Sequence, residues 1–243
     1  MRDIIITAAS LIISTLAIGF TINFSFGILV GIIVGLIVFL MLSRRIMKEL
    51  EEVQNRANKA INNRNIDRAV KIYESALSLG KKSPFVKGQV YGMLGMLHYV
   101  TDDLDKAIPA LEKSSSMNWV AKTMLAVVHF KKKEIDKMEE IMKKVTSTSK
   151  KEGLVWGVYA YLLARLKRYE DATKVLEKGL EKLKDKDERL KTNLIELKNN
   201  RPMKMKVFGD PWYQFRLEDP PKKKIQQEMP GFIKYKKNAH YRG

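Results

Sequence analysis

Residues 65–77 read NIDRAVKIYESAL and contain a pattern that returns three more times along the chain. In this stretch a small residue, Ala69, is followed four positions later by an aromatic residue and three positions after that by another small residue. Related segments are anchored at Ala107, Met138 and Ala172, so the four anchor residues lie 38, 31 and 34 residues apart. Such periods are typical of chains built from stacked copies of one supersecondary unit.

The repeated segment resembles the second helix of a tetratricopeptide repeat, a family with a period of about 34 residues. In that family the small and aromatic positions let two helices pack at close range, and in the first copy they are Ala69, Tyr73 and Ala76. The first helices of the units agree with the family as well, since Tyr91 and Trp156 occupy its aromatic position in the second and fourth units.

The resemblance implies an all-α, solenoid-type domain of about four helix pairs over residues 44–199. The amphipathic segment 187–199 is expected to be the capping helix that terminal repeats need for solubility. In the third unit Met138 replaces the small residue, so its two helices are expected to lie further apart or to shift. The helical period stops after Pro202, and residues 200–243 are expected to form an irregular C-terminal segment rich in aromatic and basic residues.

Two uncharged apolar runs precede the repeats, at residues 4–20 and 26–42. Each has about the length that crosses a bilayer as a helix, and a five-residue connector permits an antiparallel hairpin. Residues 1–43 are therefore predicted to be a transmembrane hairpin with two spans. The basic cluster at residues 44–48 favours a cytoplasmic location for the rest of the chain, as in a bacterial inner-membrane protein. A cleavable signal peptide is disfavoured because the charges of Arg2 and Asp3 cancel and a second apolar run follows.

Glycines recur every four residues in the second apolar run and therefore share one face of the predicted helix. Small residues on one face let another helix approach closely. That approach can serve the hairpin itself or self-association into a homo-oligomer, and the sequence leaves both open. The residues predicted to pack in this way are Gly27, Gly31 and Gly35.

The tetratricopeptide resemblance also implies a binding surface, because the family uses fixed positions of its first helices to line a concave face that binds other proteins. Carried over to this sequence, these positions are polar in the first unit and mostly apolar afterwards. Methionine side chains adapt to irregular partners, which suits a groove for a hydrophobic peptide. The predicted groove consists of Met93, Met96, Tyr99, Val120, Met124, Val127, Phe130, Val158 and Tyr161.

An aromatic stretch at residues 207–215 surrounds a Gly-Asp-Pro turn signal. Disordered tails are normally poor in aromatic residues, so this stretch is expected to dock onto a surface. Its own groove and a groove on another protein are both open at this point, with a small preference for its own. The predicted docking residues are Phe208, Trp212, Tyr213 and Phe215.

The charge and the motif content narrow the classes of function. A formal net charge of +18 suits anionic lipid headgroups or nucleic acid as acidic partners. Absence of cysteine excludes disulfides and thiolate catalysis. No phosphate-binding glycine loop and no hydrolase motif is found, and His98 and His129 occupy equivalent helix positions that indicate packing. We therefore expect no enzyme activity, no metal and no cofactor.

The leading interpretation is a protein-protein interaction scaffold, integral to the cell membrane, that recruits partners at the cytoplasmic face through its groove or its aromatic segment. The alternative is a basic, membrane-tethered module that binds nucleic acid or a ribonucleoprotein. Stacking aromatics and basic residues in 208–242 are its only specific support, so nucleic acid is the less favoured partner.

Overall fold

A computed structural model describes residues 2–21, 24–81 and 83–220, and every regular element in these ranges is helical. Two short 3-10 turns, Leu77–Lys81 and Met205–Phe208, accompany the α-helices. The helices are α1 (Arg2–Thr21), α2 (Phe24–Asn62), α3 (Ile66–Ala76), α4 (Pro84–Val100), α5 (Leu104–Glu112), α6 (Trp119–Lys131), α7 (Ile135–Thr148), α8 (Gly153–Arg165), α9 (Tyr169–Lys182), α10 (Glu188–Lys198) and α11 (Asp210–Tyr213).

The chain divides into two compact units, Met1–Leu94 and Gly95–Gly243. In the first unit α1 packs on α2 and the C-terminal half of α2 packs on α3. In the second unit α5 to α10 pack in sequence, each helix on its neighbours. The boundary falls inside α4, within the region 44–199 that the sequence treats as one domain.

The same turn joins the two helices of all four pairs. One residue before the N-cap of each second helix has a left-handed φ, between 59° and 67°. The N–H of the N-cap residue then donates to a carbonyl five residues back in the first helix. These bonds run from Asn65 to Ala60, from Asp103 to His98, from Glu134 to His129 and from Arg168 to Leu163. The four acceptors have the same 38-, 31- and 34-residue spacing as the sequence anchors, so the predicted register is present in every pair.

Close packing within the pairs follows from small residues in both helices. The anchors Ala69, Ala107, Met138 and Ala172 are all completely buried. Twelve residues before each anchor, the first helix also has a small, buried residue: Ala57, Gly95, Ala126 and Ala160. A Cβ at Gly95 would lie 2.9 Å from the backbone nitrogen of Leu111, so that helix contact leaves no room for a side chain.

The two N-terminal helices, α1 and α2, pack on each other. Glycines of α2 face α1: a Cβ at Gly35 would lie 3.3 Å from the side chain of Leu11, and one at Gly31 would collide with Thr15. Gly31 and Gly35 thus lie at the contact between α1 and α2. The surroundings of Gly27 are outside the part of the chain whose side chains are described. Residues 22–23 of the predicted connector also lie outside the described residues.

Only part of the membrane prediction is supported. Within the described residues, Ile28–Asn62 is long and apolar enough to cross a membrane, whereas the other apolar helix segment, Ile5–Ala17, is shorter. One helix is therefore a span candidate, and the second predicted span lacks that support.

No helix break separates the predicted hairpin from the repeats. The sequence places a boundary at residues 43–44, but α2 continues to Asn62. Ser43, Arg44 and Arg45 are compatible with a helix, and neither glycine nor proline interrupts it here. Buried residues then recur every three or four positions along its C-terminal half, at Ile46, Leu50, Val53, Ala57 and Ala60.

Candidate functional site

The candidate site lies in the second compact unit, Gly95–Gly243. There residues 204–217 cross α4, α6 and α8, the first helices of three pairs. We call these residues the return segment, because they run back from α10 past α8 and α6 to the C-terminal end of α4. Five of its apolar side chains are buried: Met205, Phe208, Trp212, Tyr213 and Phe215 are at most 8 % exposed. They form one core with buried side chains of α6 and α8.

The N-terminal end of the return segment is attached to α10. The backbone N–H of Lys204 donates to Oδ1 of the fully buried Asn193 over 2.7 Å. Lys204 and Arg201 both pair with the Glu196 carboxylate at 2.8 Å. The hydrogen bond from Lys204 is the main cause that lowers the pKa of Glu196. These contacts set the direction in which the chain leaves the capping helix.

The middle of the return segment packs on α8. Phe208 lies against Gly157, where a Cβ would come within 2.7 Å of the aromatic ring. The Arg189 guanidinium lies 5.1 Å from the ring centre of Phe208, in the range of a cation–π contact. The rings of Trp212 and Tyr161 meet edge to face at 4.9 Å. A glycine at position 157 is therefore what gives the aromatic segment access to α8.

Trp212 is completely buried, and its one polar atom has a partner within the same part of the chain. The indole Nε1–H donates to Oε2 of Glu218 over 3.0 Å. Buried tryptophan usually finds such a partner, because an unsatisfied N–H in an apolar environment is costly. Burial, together with the nearby Glu218, raises the pKa of Tyr161.

The C-terminal end of the return segment is held by α4 and α6. The Tyr99 hydroxyl donates to the carbonyl of Phe215 over 2.6 Å. The Lys131 ammonium donates to the carbonyl of Arg216 over 3.1 Å. In return, Arg216 donates to the carbonyl of Tyr99 at 3.0 Å and lies 3.4 Å from Asp102. Backbone carbonyls of the segment thus receive hydrogen bonds from side chains of the repeat helices, as a bound peptide would.

Lys131 is the electrostatically unusual group of this site. Its Nζ lies 5.5 Å from the ring centre of Tyr99. The pKa of Lys131 is lowered to about 8, mainly by burial and in addition by the positive charge of Arg216, while the Asp102 carboxylate opposes the shift. The protonated form is therefore disfavoured when the return segment is in place.

This shift predicts a pH dependence that Lys131 contributes. The folded state releases the Lys131 proton near pH 8, whereas the unfolded chain keeps it until about pH 10.4, so folding is favoured increasingly as pH rises between these values. We expect the wild-type protein to gain stability from pH 7.5 to 9.5 relative to Lys131→Met. Lys132→Met, at an exposed neighbouring position, is the control.

Denaturant unfolding at the two pH values measures the effect. The range stops below pH 10, because burial raises the pKa of Tyr159 to about 12, and this shift acts in the opposite direction above pH 10. Parallel pH profiles for the wild type and Lys131→Met would contradict the assignment.

The predicted groove residues fall into three groups. Tyr99, Met124, Val127, Val158 and Tyr161 are buried in the core that the return segment completes. Three others, Met96, Val120 and Phe130, are partly buried against that core. Met93 is half-buried and belongs to the first of the two compact units, Met1–Leu94. The four predicted docking residues, Phe208, Trp212, Tyr213 and Phe215, are all buried.

Several residues that hold the return segment were not singled out by the sequence. Asn193, Glu196 and Arg189 belong to α10 and look like the ordinary polar face of a capping helix. Lys131 occupies one of the positions that line the concave face in the family pattern. A basic residue there, among apolar neighbours, was the signal in the sequence that could have identified it as a binding residue. Met205, which is buried, extends the series of apolar anchor residues towards the N-terminus of the segment.

The two helix-borne histidines occupy equivalent places at the turns. His129 Nδ1 lies 2.7 Å from the Glu134 carboxylate, and His98 Nδ1 lies 3.9 Å from that of Asp103. In both cases the carboxylate belongs to the N-cap residue whose N–H bonds to the histidine carbonyl. Among the described residues no group of three or more His, Asp or Glu is arranged to hold a metal ion. Both imidazoles lie beside the N-cap carboxylate of the following helix.

Comparison with known proteins gives one match. A tetratricopeptide repeat model matches residues 88–118, from α4 through α5 to the N-cap of α6. Residues 88–118 are thus similar to one tetratricopeptide repeat. With the helical structure, this match supports a tetratricopeptide repeat protein. No curated protein and no solved structure matches the chain. Tetratricopeptide repeats generally mediate protein-protein interaction, and the family is typically a non-enzymatic scaffold.

Proposed function

We propose that this tetratricopeptide repeat protein is a membrane-anchored adaptor. The hairpin of α1 and α2 spans the cell membrane twice, the repeats lie on the cytoplasmic side, and the concave face of the second unit recruits partner proteins. The protein acts by binding and positioning its partners, without catalysis.

The observation that carries the proposal is the peptide-like fit of the return segment. Three repeat helices contribute a glycine-lined slot for Phe208, an aromatic edge for Trp212 and side-chain donors for backbone carbonyls. Apolar pockets combined with hydrogen bonds to main chain are the means by which proteins recognise peptides. The concave face therefore has the chemistry needed to hold a segment of another protein.

Anchoring is supported by the surface of the hairpin. Large apolar side chains point outwards from both helices, including Ile5, Ile13 and Met41 at 66 % exposure each. The Ser10 and Ser14 hydroxyls of α1 donate to the backbone carbonyls of Thr7 and Ser10, so these polar groups are satisfied within the helix. An apolar exterior suits a lipid environment, and the two serine hydroxyls leave no unsatisfied donor in it.

The topology has a direct test, because the chain contains no cysteine. Single cysteines are introduced as Asn23→Cys in the connector and as Lys150→Cys in the repeats. A membrane-impermeant maleimide on intact cells should label Asn23→Cys, and should label Lys150→Cys only after permeabilisation. Labelling of Lys150→Cys in intact cells would contradict the cytoplasmic location of the repeats.

Site-specific photocrosslinking in membranes tests the adaptor function. A photoreactive residue replaces Val120 or Met96 at the rim of the concave face, or Tyr169 on the second helix of the fourth pair as the control. Tyr169 is 55 % exposed and accessible. We expect discrete protein products from the first two positions, identified by mass spectrometry, and none from Tyr169. The same products from all three positions would contradict recruitment by the concave face.

The photocrosslinks also separate the adaptor from a nucleic-acid-binding module. Binding to nucleic acid weakens steeply with salt through counterion release, whereas an apolar groove contact changes little. Products that persist in high salt and after nuclease treatment support protein recruitment. Products lost under both treatments would favour the alternative.

A further inference from the structure

A surface cavity lies on α2 where its apolar half changes into its charged half. We call it the junction cavity. Its volume is about 650 Å³, within the range of small-molecule sites. The lining residues recur every three or four positions and therefore share one face of the helix. They include Leu40, Ser43, Arg44, Met47, Lys48 and Glu51.

Two cationic side chains of the junction cavity are available to a ligand. Arg44 and Lys48 are exposed and lie one helical turn apart. In the described part of the chain, neither side chain makes a hydrogen bond or an ion pair, whereas the neighbouring Arg45 pairs with Glu49 at 3.6 Å. The cavity also contains one carboxylate, that of Glu51, so its charge is positive.

The position of these cations along α2 matches the thickness of a bilayer. Arg44 lies twenty residues beyond Phe24, where α2 begins, which corresponds to about 30 Å of helix. The hydrocarbon core of a bilayer is also about 30 Å thick. In the membrane-spanning arrangement proposed above, Arg44 and Lys48 therefore lie at the cytoplasmic boundary of the hydrocarbon, at the level of the lipid headgroups.

The apolar exterior of the hairpin reaches into the same cavity. Leu40, before the two arginines, is 45 % exposed, and Met47, after them, is 47 % exposed. Arginine and lysine near the end of a membrane helix extend their charged groups to the interface while their stems stay on apolar surface. Apolar and cationic side chains thus alternate here as acyl chains and headgroups require.

We propose that the junction cavity binds one anionic phospholipid of the cytoplasmic leaflet. The lipid phosphate lies between Arg44 and Lys48, and an acyl chain lies along Leu40 and Met47. This inference rests on the proposed membrane anchoring, because the hairpin brings the cavity to the headgroups, and it adds a lipid to the partners of the anchored protein.

The charge of the cavity decides which headgroup it prefers. Hydrogen bonds from a guanidinium or an ammonium to phosphate oxygens are charge-assisted and stronger than those to neutral acceptors. A phosphatidylglycerol headgroup carries one negative charge and balances the two cations together with Glu51. A phosphatidylcholine headgroup brings a cation of its own, and its methylated ammonium has no N–H to donate to Glu51.

Native mass spectrometry of the full-length protein in neutral detergent micelles tests the proposal. The probes are dioleoyl phosphatidylglycerol and dioleoyl phosphatidylcholine, which differ only in the headgroup. We expect the wild type to bind phosphatidylglycerol about tenfold more tightly. The double variant Arg44→Gln, Lys48→Gln should lose this preference. Equal binding of the two lipids by the wild type would overturn the proposal.

A second double variant separates a site from general attraction to a basic helix. Arg45→Gln with Lys59→Gln removes the same charge from α2, but Arg45 lies on another face and Lys59 lies eleven residues beyond Lys48. We expect this variant to bind phosphatidylglycerol within about twofold of the wild type. An equal loss of binding in both double variants would overturn the junction cavity as the site.

Two further arms identify the chemistry of the ligand. Glu51→Gln should strengthen phosphatidylglycerol binding about twofold to fivefold, because it removes a like charge. Weaker lipid binding by Glu51→Gln would assign an ammonium headgroup to the cavity and overturn the anionic one. Free glycerol phosphate at the concentration of the lipid should not compete, since it lacks an acyl chain. Competition would show a site for soluble phosphate and overturn the lipid.

Circular dichroism verifies that the variants keep their helices. Should the Arg44→Gln, Lys48→Gln protein lose them, the single variants Arg44→Gln and Lys48→Gln are compared with Arg45→Gln. Each of the first two should lower the preference for phosphatidylglycerol about threefold to fivefold, and Arg45→Gln should not. Preferences unchanged in all three would overturn the proposal.

Maleimide labelling of Lys150→Cys distinguishes the lipid site from the membrane anchoring on which it rests. Labelling only after permeabilisation, combined with no preference for phosphatidylglycerol, removes the lipid site and leaves the anchored adaptor in place. Labelling in intact cells removes the cytoplasmic location of the repeats, and with it the assignment of the lipid to the cytoplasmic leaflet.

Discussion

Trp212→Ala is expected to lower the free energy of unfolding of the second unit by about 3–5 kcal/mol, the usual cost of truncating a large buried aromatic side chain. Trp212 is completely buried, its ring meets Tyr161, and its Nε1–H is bonded to Glu218. The substitution removes all of these contacts and leaves a cavity between the return segment and α8.

Val207→Ala is the matched control for this experiment. Val207 belongs to the same segment but is 38 % exposed, so its truncation should change the free energy of unfolding by roughly 0.5 kcal/mol or less. Denaturant unfolding followed by circular dichroism measures both variants. Equal stabilities for Trp212→Ala and the wild type would show that the return segment does not pack on the repeats in solution.

Ala172→Leu is expected to destabilise the second unit by about 1–3 kcal/mol, because extra methylenes in a filled helix contact force backbone and side-chain shifts. Ala172 is completely buried at the anchor position of α9, which packs on α8. The contact between α8 and α9 is also tight further along, since a Cβ at Gly179 of α9 would lie 2.7 Å from the ring of Trp156 in α8.

Lys174→Leu provides the comparison, because it adds a leucine to an exposed position of the same helix. Thermal unfolding should show a loss for Ala172→Leu and almost none for Lys174→Leu. A normal transition for Ala172→Leu would contradict the register of the fourth pair.

The register of the repeats could be predicted from sequence because it depends on local residue size. Ala69, Ala107 and Ala172 are small at the points where the paired helices meet, and turn residues precede them at a constant offset. The departure at Met138 does not prevent pairing: Met138 is completely buried in α7, and the preceding helix contributes the small residue Ala126. The small residues that lie twelve positions before each anchor, in the first helices, are a second signal that can be read from the sequence.

The path of the return segment could be predicted only in part. Four aromatics in a stretch that lacks helical periodicity indicated docking, but not the surface. Its fixed points, Asn193, Lys131 and Tyr99, lie on three different helices and far apart in sequence. Each also has an ordinary local role, as a helix-surface polar residue or a wall residue of a groove. Only the packed helices bring these groups to one line.

The continuity of α2 past residue 43 was not evident from the sequence, for a related reason. The change from apolar to charged residues after Leu42 resembles a domain boundary, but a change of polarity does not end a helix. Signals that do end one, such as glycine or proline, are absent there. Continuation of α2 to Asn62 makes the membrane-proximal helix and the first repeat helix a single element.

The environment of Trp212 in the full-length protein tests directly the claim that the concave face holds its own C-terminal segment. With Trp119→Phe and Trp156→Phe, Trp212 is the remaining tryptophan. Its fluorescence emission is expected to be blue-shifted and protected from iodide and acrylamide, because the indole is completely buried. Emission at the wavelength of solvent-exposed tryptophan, with unrestricted quenching, would contradict the claim.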